Sequence, residues 1–485
     1  MARGGAFEAA VERLMGLTDL RRTAPPGERH RYRAQRMRAL LHHLHDPHLA
    51  VPTIHVAGTN GKGSTAAMLA AILHGAGLRV GLFTSPHLHS VVERIRIGPD
   101  PVTREQFAGL FARVWTAAQA VARDPALPGE RGAVTTLEVL TAMAFHFFRE
   151  TGAAYQVVEA FVGGRHDTTN IVQPVLSVIT NISRDHVPTL GTTLREIAYA
   201  KAGIIKPGVP VVVAPQRPAV HAVLAHEATT LGSPLAAVAR PAQPTQAPAL
   251  EDSHQDLCWR GRHGEYRVAL PLRGLAQREN AAVAITAAER LIDQGAALSA
   301  DAMCRGLGGV TWPGRLELVC RGPVPVLVDG AHCARAMDCL VAELRRLWTD
   351  TGARSPTAEI LEASTPESSA GSGTRTGRRV TALVGAQRGH QAVATLRRLH
   401  ALADSVVAVQ TRHPRSLPAA ELAATLRAAG IPASAGAHSV GGTVRRLMAT
   451  ARADTLLLAT GSLSVAAEVR EELLAGIRVD HYPET

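Results

Sequence analysis

The segment that most constrains this chain is Gly58-Thr59-Asn60-Gly61-Lys62-Gly63-Ser64. It lies between an apolar run, Thr53 to Val56, and an Ala/Leu-rich helical pattern from about Gly63 to Gly75. A strand, a glycine turn and a helix in that order bring successive backbone N–H groups and a helix N-terminus together, which makes an anion cradle. Lys62 can reach terminal phosphates, and Ser64 or Thr65 can hold Mg²⁺. The loop departs from the usual G-x-x-x-x-G-K-[ST] form, because Val56 stands where the first glycine belongs. A second constraint is lysine use. The chain has 52 basic residues, yet Lys62, Lys201 and Lys206 are its only lysines. Where lysine survives an arginine bias, chemistry that a guanidinium cannot perform is the natural suspicion.

From Pro52 onward, short apolar runs alternate with amphipathic segments. Strands are expected at Arg79 to Phe83, Gln156 to Glu159, Leu176 to Ile182 and Val209 to Val213. Helices are expected at Arg104 to Val121, Val134 to Arg149, Thr193 to Ala202 and Glu279 to Asp293. This alternation predicts a mostly parallel sheet flanked by helices. After a turn at Gly308 to Gly314 a second series begins. It has strands at Pro325 to Val328, Val380 to Val384, Ser405 to Gln410 and Thr455 to Ala459, with helices between and after them, the first of these from Ala334 to Trp348. Length alone suggests two or three domains at about 100–200 residues each. The division is read as 1–311 and 312–485, with Pro241 to Leu250 a surface loop and 350–379 a disordered insertion.

The formal charge of +11 suits nucleic acid, but equally suits small polyanions. Few aromatics interleave the basic stretch Arg21 to Arg38, and no helicase-like second motif is found, so no nucleic-acid partner is expected. His42, His43, His45 and His48 match no zinc spacing and read as a solvated helix end. The longest apolar runs, such as Ala66 to Leu73, fall short of the roughly 20 residues of a membrane span. The first residues carry no apolar signal core. Five cysteines without a C-x-x-C pair read as reduced thiols in a cytoplasmic protein.

The segment Val56 to Thr65 resembles the phosphate loop of the Mur ligase superfamily, specifically its folylpolyglutamate synthase/dihydrofolate synthase branch. Thr84-Ser85-Pro86-His87-Leu88 with Glu93-Arg94-Ile95 resembles a segment that the peptidoglycan ligases lack. Further matches follow in the family's order from about residue 38 to 475. They are Glu159 with Gly163 to Asn170, Thr180-Asn181-Ile182 with Asp185-His186, Lys201 to Gly208, Gln277 with Asn280-Ala281-Ala282, Trp312 to Glu317, Asp329 to His332, and Thr460 to Leu463. The resemblance implies an α/β, Mur-ligase-like fold: an N-terminal P-loop ATP-binding domain with a mostly parallel sheet, and a smaller Rossmann-like C-terminal α/β domain closing over the cleft. It implies that ATP phosphorylates a substrate carboxylate and that the amino group of L-glutamate attacks the acyl phosphate. Folate or dihydropteroate would be the acceptor, Mg²⁺ the metal, and a monomer the working form.

Roles carry over by position. Gly58, Thr59, Asn60, Gly61, Lys62, Gly63, Ser64 and Thr65 would hold the phosphates. Ser64 and Glu159 resemble ligands of one Mg²⁺, and His186 a ligand of a second. Lys201 matches a carbamylated lysine, a modification that needs a neutral amine. Asn280 resembles the adenine contact, Arg315 the arginine reaching the γ-phosphate, Asp329 the ribose contact and His332 an active-site contact. Arg165, Asp167 and Asn170 either hold the loop after Glu159 or touch substrate, and Lys206 reads as a helix C-terminal charge. Four departures stand out. Phe161 replaces a usual glycine and would reshape the substrate side of the cleft. Cys333 replaces a usual asparagine and would lose a polar contact. Gly385 to His390 replaces a charged segment, and Arg184 precedes Asp185 where an apolar residue is common. Two further readings stay open: a divergent ligase for another carboxylate, and a non-catalytic nucleotide-binding paralogue.

Overall fold

The computed structural model describes residues 4–17, 31–127, 134–184, 187–242, 249–349, 378–388 and 392–480. The expected insertion lies outside these residues up to 377. Its expected end is corrected, because Arg379 already opens a strand. Asp185, His186 and positions 243–248 also fall outside.

The first sheet contains β1 (Thr53–Ala57), β2 (Val80–Phe83), β3 (Ile95–Ile97), β4 (Asp100–Pro101), β5 (Tyr155–Glu159), β6 (Pro174–Ile179), β7 (Val211–Val213) and β8 (Leu235–Ala237), in the order β4-β3-β2-β5-β1-β6-β7-β8. The pairings from β2 through β8 are parallel, and β3 and β4 add an antiparallel edge. Every residue of β1, β2 and β7 is buried, as expected of parallel strands covered on both faces. Alternate residues go to opposite layers. Ile54, Val56, Leu82, Val157 and Val178 join the core with helices Lys62–Gly75, Leu275–Asp293 and Ala300–Gly308. Phe83 and Val158 join the core with helices Gly4–Met15, Arg31–His42, Arg104–Ala122 and Thr136–Glu150.

Helix Lys62–Gly75 is buried almost all round, from Ser64 to Leu73, so its run of Ala, Leu and Ile suits a central position. It meets helix Ala300–Gly308 where Gly75 and Gly306 face one another. A Cβ on either would strike the other helix's backbone. Helices Arg104–Ala122, Thr136–Glu150 and Leu194–Ala202 each begin on a Thr-x-x-Gln/Glu capping box, satisfying N–H groups that the first turn leaves without partners.

The second sheet holds β11 (Glu317–Cys320), β12 (Val326–Val328), β13 (Arg379–Val384), β14 (Ser405–Ala408), β15 (Ala433–Ala435) and β16 (Thr455–Thr460), in the order β11-β12-β16-β13-β14-β15. All pairings but β11–β12 are parallel. Its two faces again alternate, with Val380, Ala382 and Leu458 on one side and Leu383, Leu457 and Ala459 on the other. The helix opening at Ala334 ends at Leu344 and passes into a π turn, Arg345–Thr349, rather than continuing regularly to Trp348.

A hairpin of β9 (Gln255–Arg260) and β10 (Glu265–Leu270) was not expected, although its buried–exposed alternation is regular. The histidine cluster also needs correction. His48 is buried, with its ring 6.2 Å from that of Phe145. Among the described residues no helix is long and apolar enough to cross a membrane.

Candidate active site

In a parallel sheet, ligands bind beyond the carboxyl ends of the strands, where neighbouring connections diverge. Here that point lies past β1, with β5 and β6 on its two sides. The loop leaving β1 enters the helix at Lys62 through Gly61, whose φ of +84° is a conformation that favours glycine. A Cβ there would also collide with the side-chain amide of Asn280. The first helical bond is Thr65 N–H to the Gly61 carbonyl, 2.8 Å, so the N–H groups of the first turn have no intrahelical acceptor.

The anion cradle is narrower than expected. The N–H groups of Thr59 and Asn60 both donate to the Asn181 carbonyl, at 2.9 and 3.2 Å. Their side chains engage Ser183, Thr59 Oγ1 donating to its carbonyl at 3.1 Å and Asn60 Nδ2 to its hydroxyl at 2.9 Å. These two residues therefore brace the loop against the segment after β6, and the helix N-terminus is left to receive the anion.

Glu159, at the end of β5, meets this loop. Its carboxylate lies 3.6 Å from Lys62 Nζ with only 2% of the side chain exposed, and it accepts from the Ser85 N–H at 2.9 Å. Burial raises its pKa, against the opposing pull of Lys62, the Ser85 N–H and Arg315. Arg94 is buried beside it and falls to about 10, through desolvation that Glu159 and Glu93 only partly offset. Lys201, also buried, reaches back from helix Leu194–Ala202 to donate to the Gly58 carbonyl at 2.6 Å. The fold thus brings Lys62, Glu159, Lys201, Asn280 and the glycine loop together, and Arg315 close enough to act on Glu159 electrostatically.

The second lobe supplies the opposite wall. Trp312, which sequence reasoning left as a turn residue, places its ring 3.1 Å from where a Cβ on Gly63 would stand. The guanidinium of Arg96 lies 5.7 Å from the centre of that ring. Asp329 accepts from Leu316 N–H and Ala331 N–H, both at 2.8 Å, and so ties the inter-lobe link to the end of β12. His332 Nδ1 lies 2.9 Å from the Gly330 carbonyl. Cys333 does not simply lose a contact: its thiol lies 3.7 Å from Asn60 Oδ1 and joins the second lobe to the phosphate loop.

Phe161 departs from expectation too. Its ring packs edge-on against Phe83 at 5.4 Å and belongs with the hydrophobic core. Asp167 accepts from Val162 N–H and caps the turn Thr168–Ile171. Asn170 donates to the Arg165 and Gly203 carbonyls, and Arg165 pairs with Glu227. All three make loop-holding contacts. Lys206 lies beyond its helix, which ends at Ala202, and donates weakly to the Asn170 carbonyl at 3.4 Å. The expected helix-end role is therefore corrected.

The residues present suit a phosphate and a divalent cation. Thr65 Oγ1, in the first turn, is buried without a hydrogen-bond partner. Glu159 is a carboxylate whose burial outweighs the compensation it receives, and a hard cation prefers such oxygen donors.

Residues 56–288 match the Mur ligase middle domain. A dihydrofolate synthase/folylpolyglutamate synthase of Bacillus subtilis is 36% identical over 324 residues, covering 65% of this chain and 73% of the relative. The chain belongs to the folylpolyglutamate synthase/dihydrofolate synthase family of Mur ligases. Solved structures agree over nearly the whole length. A Mycobacterium tuberculosis folylpolyglutamate synthase complexed with ADP superposes with a TM-score of 0.82 at 28% identity, covering 98% of this chain and 100% of that one. An FPGS–AMPPCP–folate complex superposes with a TM-score of 0.76 at 28% identity, over 97% and 100% respectively. The two-sheet architecture is therefore that of the family, and the loop bearing Lys62 lies within the middle domain.

Proposed function

We propose that this chain is an ATP-dependent ligase that adds L-glutamate to a folate, with dihydropteroate a second acceptor, through an acyl phosphate. The observation that carries the reading is the approach of Lys62 Nζ to the buried Glu159 carboxylate at a helix N-terminus. A structural salt bridge does not need that setting, whereas phosphoryl transfer does. Family membership supports the acceptor and the nucleotide.

A carboxylate is a poor acyl donor because oxide would have to leave. In the proposed reaction a carboxylate oxygen of the acceptor attacks the γ-phosphorus of ATP and ADP departs. The glutamate amine then attacks the acyl carbon, and phosphate leaves with the C–O bonding pair. Lys62 and the first turn of helix Lys62–Gly75 hold the terminal phosphates. Arg315 brings a further cation from the second lobe, as transition-state charge requires. Asn280 is assigned to adenine, Asp329 to ribose through lone pairs beyond those taken by Leu316 and Ala331, and His332 to the acceptor side.

Mg²⁺ would be held by Ser64 and Glu159, with His186 and a carbamylated Lys201 around a second ion; when bound, it supplies the positive charge that offsets the phosphate oxygens. Lys201 suits the modification because a lysine amine can lose its proton and add CO₂, whereas a guanidinium stays protonated. Its bond to Gly58 is the contact made by the unmodified amine.

The lobes are assigned as 1–311 and 312–485. The working form is assigned as a cytoplasmic monomer. All five cysteines are unpaired, which supports a reducing compartment. The large apolar side chains exposed among the described residues are Leu49 and Tyr199, well apart in the chain, which supports the monomer. The test is ADP release with ATP, Mg²⁺, L-glutamate and, in turn, tetrahydrofolate and dihydropteroate. ADP formation only with an unrelated acid would retire the folate assignment. None with any acid would favour the nucleotide-binding paralogue.

A further inference from the structure

A second cleft, of about 610 Å³, opens at the other end of the first sheet. Asp46 and His48 precede β1, Asn170 precedes β6 and Lys206 precedes β7, while Arg38 and His42 come from helix Arg31–His42. These strands run parallel, so the cleft sits at their amino ends and the phosphate loop at their carboxyl ends. Five residues of β1 separate the two by roughly 15 Å or more.

We propose that this cleft is an anion-binding site, separate from the catalytic cleft, that takes a small multivalent oxyanion bearing phosphate or carboxylate groups on Arg38, His48 and Lys206. Three observations carry it. Among the described residues neither Arg38 nor Lys206 has a carboxylate within ion-pair distance, although both line the same cleft. The lining contains one acidic residue, Asp46, and that carboxylate faces His42 Nδ1 at 3.3 Å. His48 is 7% exposed, lines the cleft, and its Nδ1 lacks any hydrogen-bond partner. A buried polar group in that state is destabilising until it is satisfied.

Two cations facing one cavity repel each other, and an anion between them removes that repulsion, with the His48 imidazole in the same lining. The electrostatics agree. Burial lowers the pKa of Lys206, and Arg165 and Arg38 lower it further. His55, buried in β1 and 2.8 Å from Thr169 Oγ1, is pushed to about 3 by burial and then by Lys206. Among the described residues the Lys206 ammonium itself donates only to the Asn170 carbonyl, at 3.4 Å. That is long for a charged donor, and it leaves the ammonium able to engage a ligand oxygen. A lysine placed here, in a chain with two others, is the third that composition bias did not remove.

The test is isothermal titration of inorganic phosphate, and separately of citrate, into full-length protein saturated with AMPPCP so that the phosphate loop is filled. One-to-one binding of at least one probe is expected. Lys206→Gln and Arg38→Gln should each weaken it about tenfold or more, while Lys206→Arg retains it. The tighter probe identifies the anion class. Arg38 is a surface side chain, so its variant keeps the test decisive if Lys206→Gln fails to fold. Absence of binding by either probe, or equal affinity in wild type and both glutamine variants, overturns the proposal.

Discussion

Replacing Glu159 by Gln separates the cost of this site to the fold from its use in the reaction. The wild-type carboxylate is buried and lies 3.6 Å from Lys62 Nζ. At an effective dielectric of about 20, that separation corresponds to an attraction of about 4–5 kcal/mol. Desolvating an ion costs several kcal/mol, and the raised pKa of Glu159 means that this cost exceeds what Lys62, the Ser85 N–H and Arg315 return. Gln keeps the shape, and Lys62, 16% exposed, stays hydrated. The unliganded variant should therefore be as stable as wild type or slightly more so by urea denaturation. The difference has a definite pH signature. Because the folded protein holds this proton more tightly than the unfolded chain does, the wild-type contribution is largest in acid. It is lost as pH rises from the ordinary carboxylate range through the raised value. The advantage of Glu159→Gln should grow over that window and then level off. Glutamate-dependent ADP release should meanwhile fall by about 10²–10³ or more, as when one preorganised charge-stabilising group is removed. A variant destabilised by more than about 3 kcal/mol would make Glu159 a structural ion-pair partner. One that turns over normally would remove it from the reaction.

Substitutions at three other positions probe separate parts of the molecule. Lys201→Ala should lower turnover about 10²-fold or more. Lys201→Arg should not restore it, since arginine keeps the charge but cannot form a carbamate; wild-type turnover in either variant, measured by ADP release with added bicarbonate, would exclude the modification. Arg470 bridges the lobes through Glu317 of β11 and His89, the latter at 3.3 Å, and the Asp480 N–H donates to the His89 carbonyl at 2.9 Å. Arg470→Met should raise the KM for ATP and split calorimetric unfolding into two transitions, whereas one unchanged transition would show that the lobes do not rely on this contact. Arg36 and Glu138 form an ion pair of 2.9 Å with side chains 2% and 0% exposed. Glu138→Ala should cost about 3–5 kcal/mol by chemical denaturation, and Glu138→Gln less because the capping box with Thr135 survives; equal losses would place the whole effect in the charge.

How much of this was legible in the sequence follows from the range of each interaction. The strand, glycine loop and helix around Lys62 are local, so the residues announce them directly. The hairpin Gln255–Leu270 was also local and was missed. Its strict two-residue period is carried by mixed residues such as Cys258, Trp259 and Arg267, whose apolar content is too low to draw attention. The short strands Leu235–Ala237 and Ala433–Ala435 could not be read, because three residues carry no period and form only against a neighbour that already exists.

The site divides along the same line. Glu159 was named through the family resemblance, and the structure agrees: it ends β5, which pairs parallel with β1, so the carboxyl ends of the two strands lie together. What sequence reasoning could not reach were contacts between chain segments whose spacing has no period: Trp312 over Gly63, Cys333 against Asn60, and the pairing of Thr59 and Asn60 with Asn181 and Ser183. Phe161 shows why. As a letter in a glycine-rich stretch it points to the cleft, but a large aromatic at the end of a strand is driven to the nearest apolar layer, and Phe83 on the adjacent strand provides it at 5.4 Å. Complete burial of a phenyl ring is worth about 1.5–3 kcal/mol, and Phe161, partly buried against this core, gains a share of it that favours this orientation. A substituted position in a binding motif therefore alters the ligand site only if its side chain has no better apolar surface within reach. Phe161→Gly should accordingly lower stability more than it changes the KM for the acceptor, and the opposite ranking would return Phe161 to the cleft.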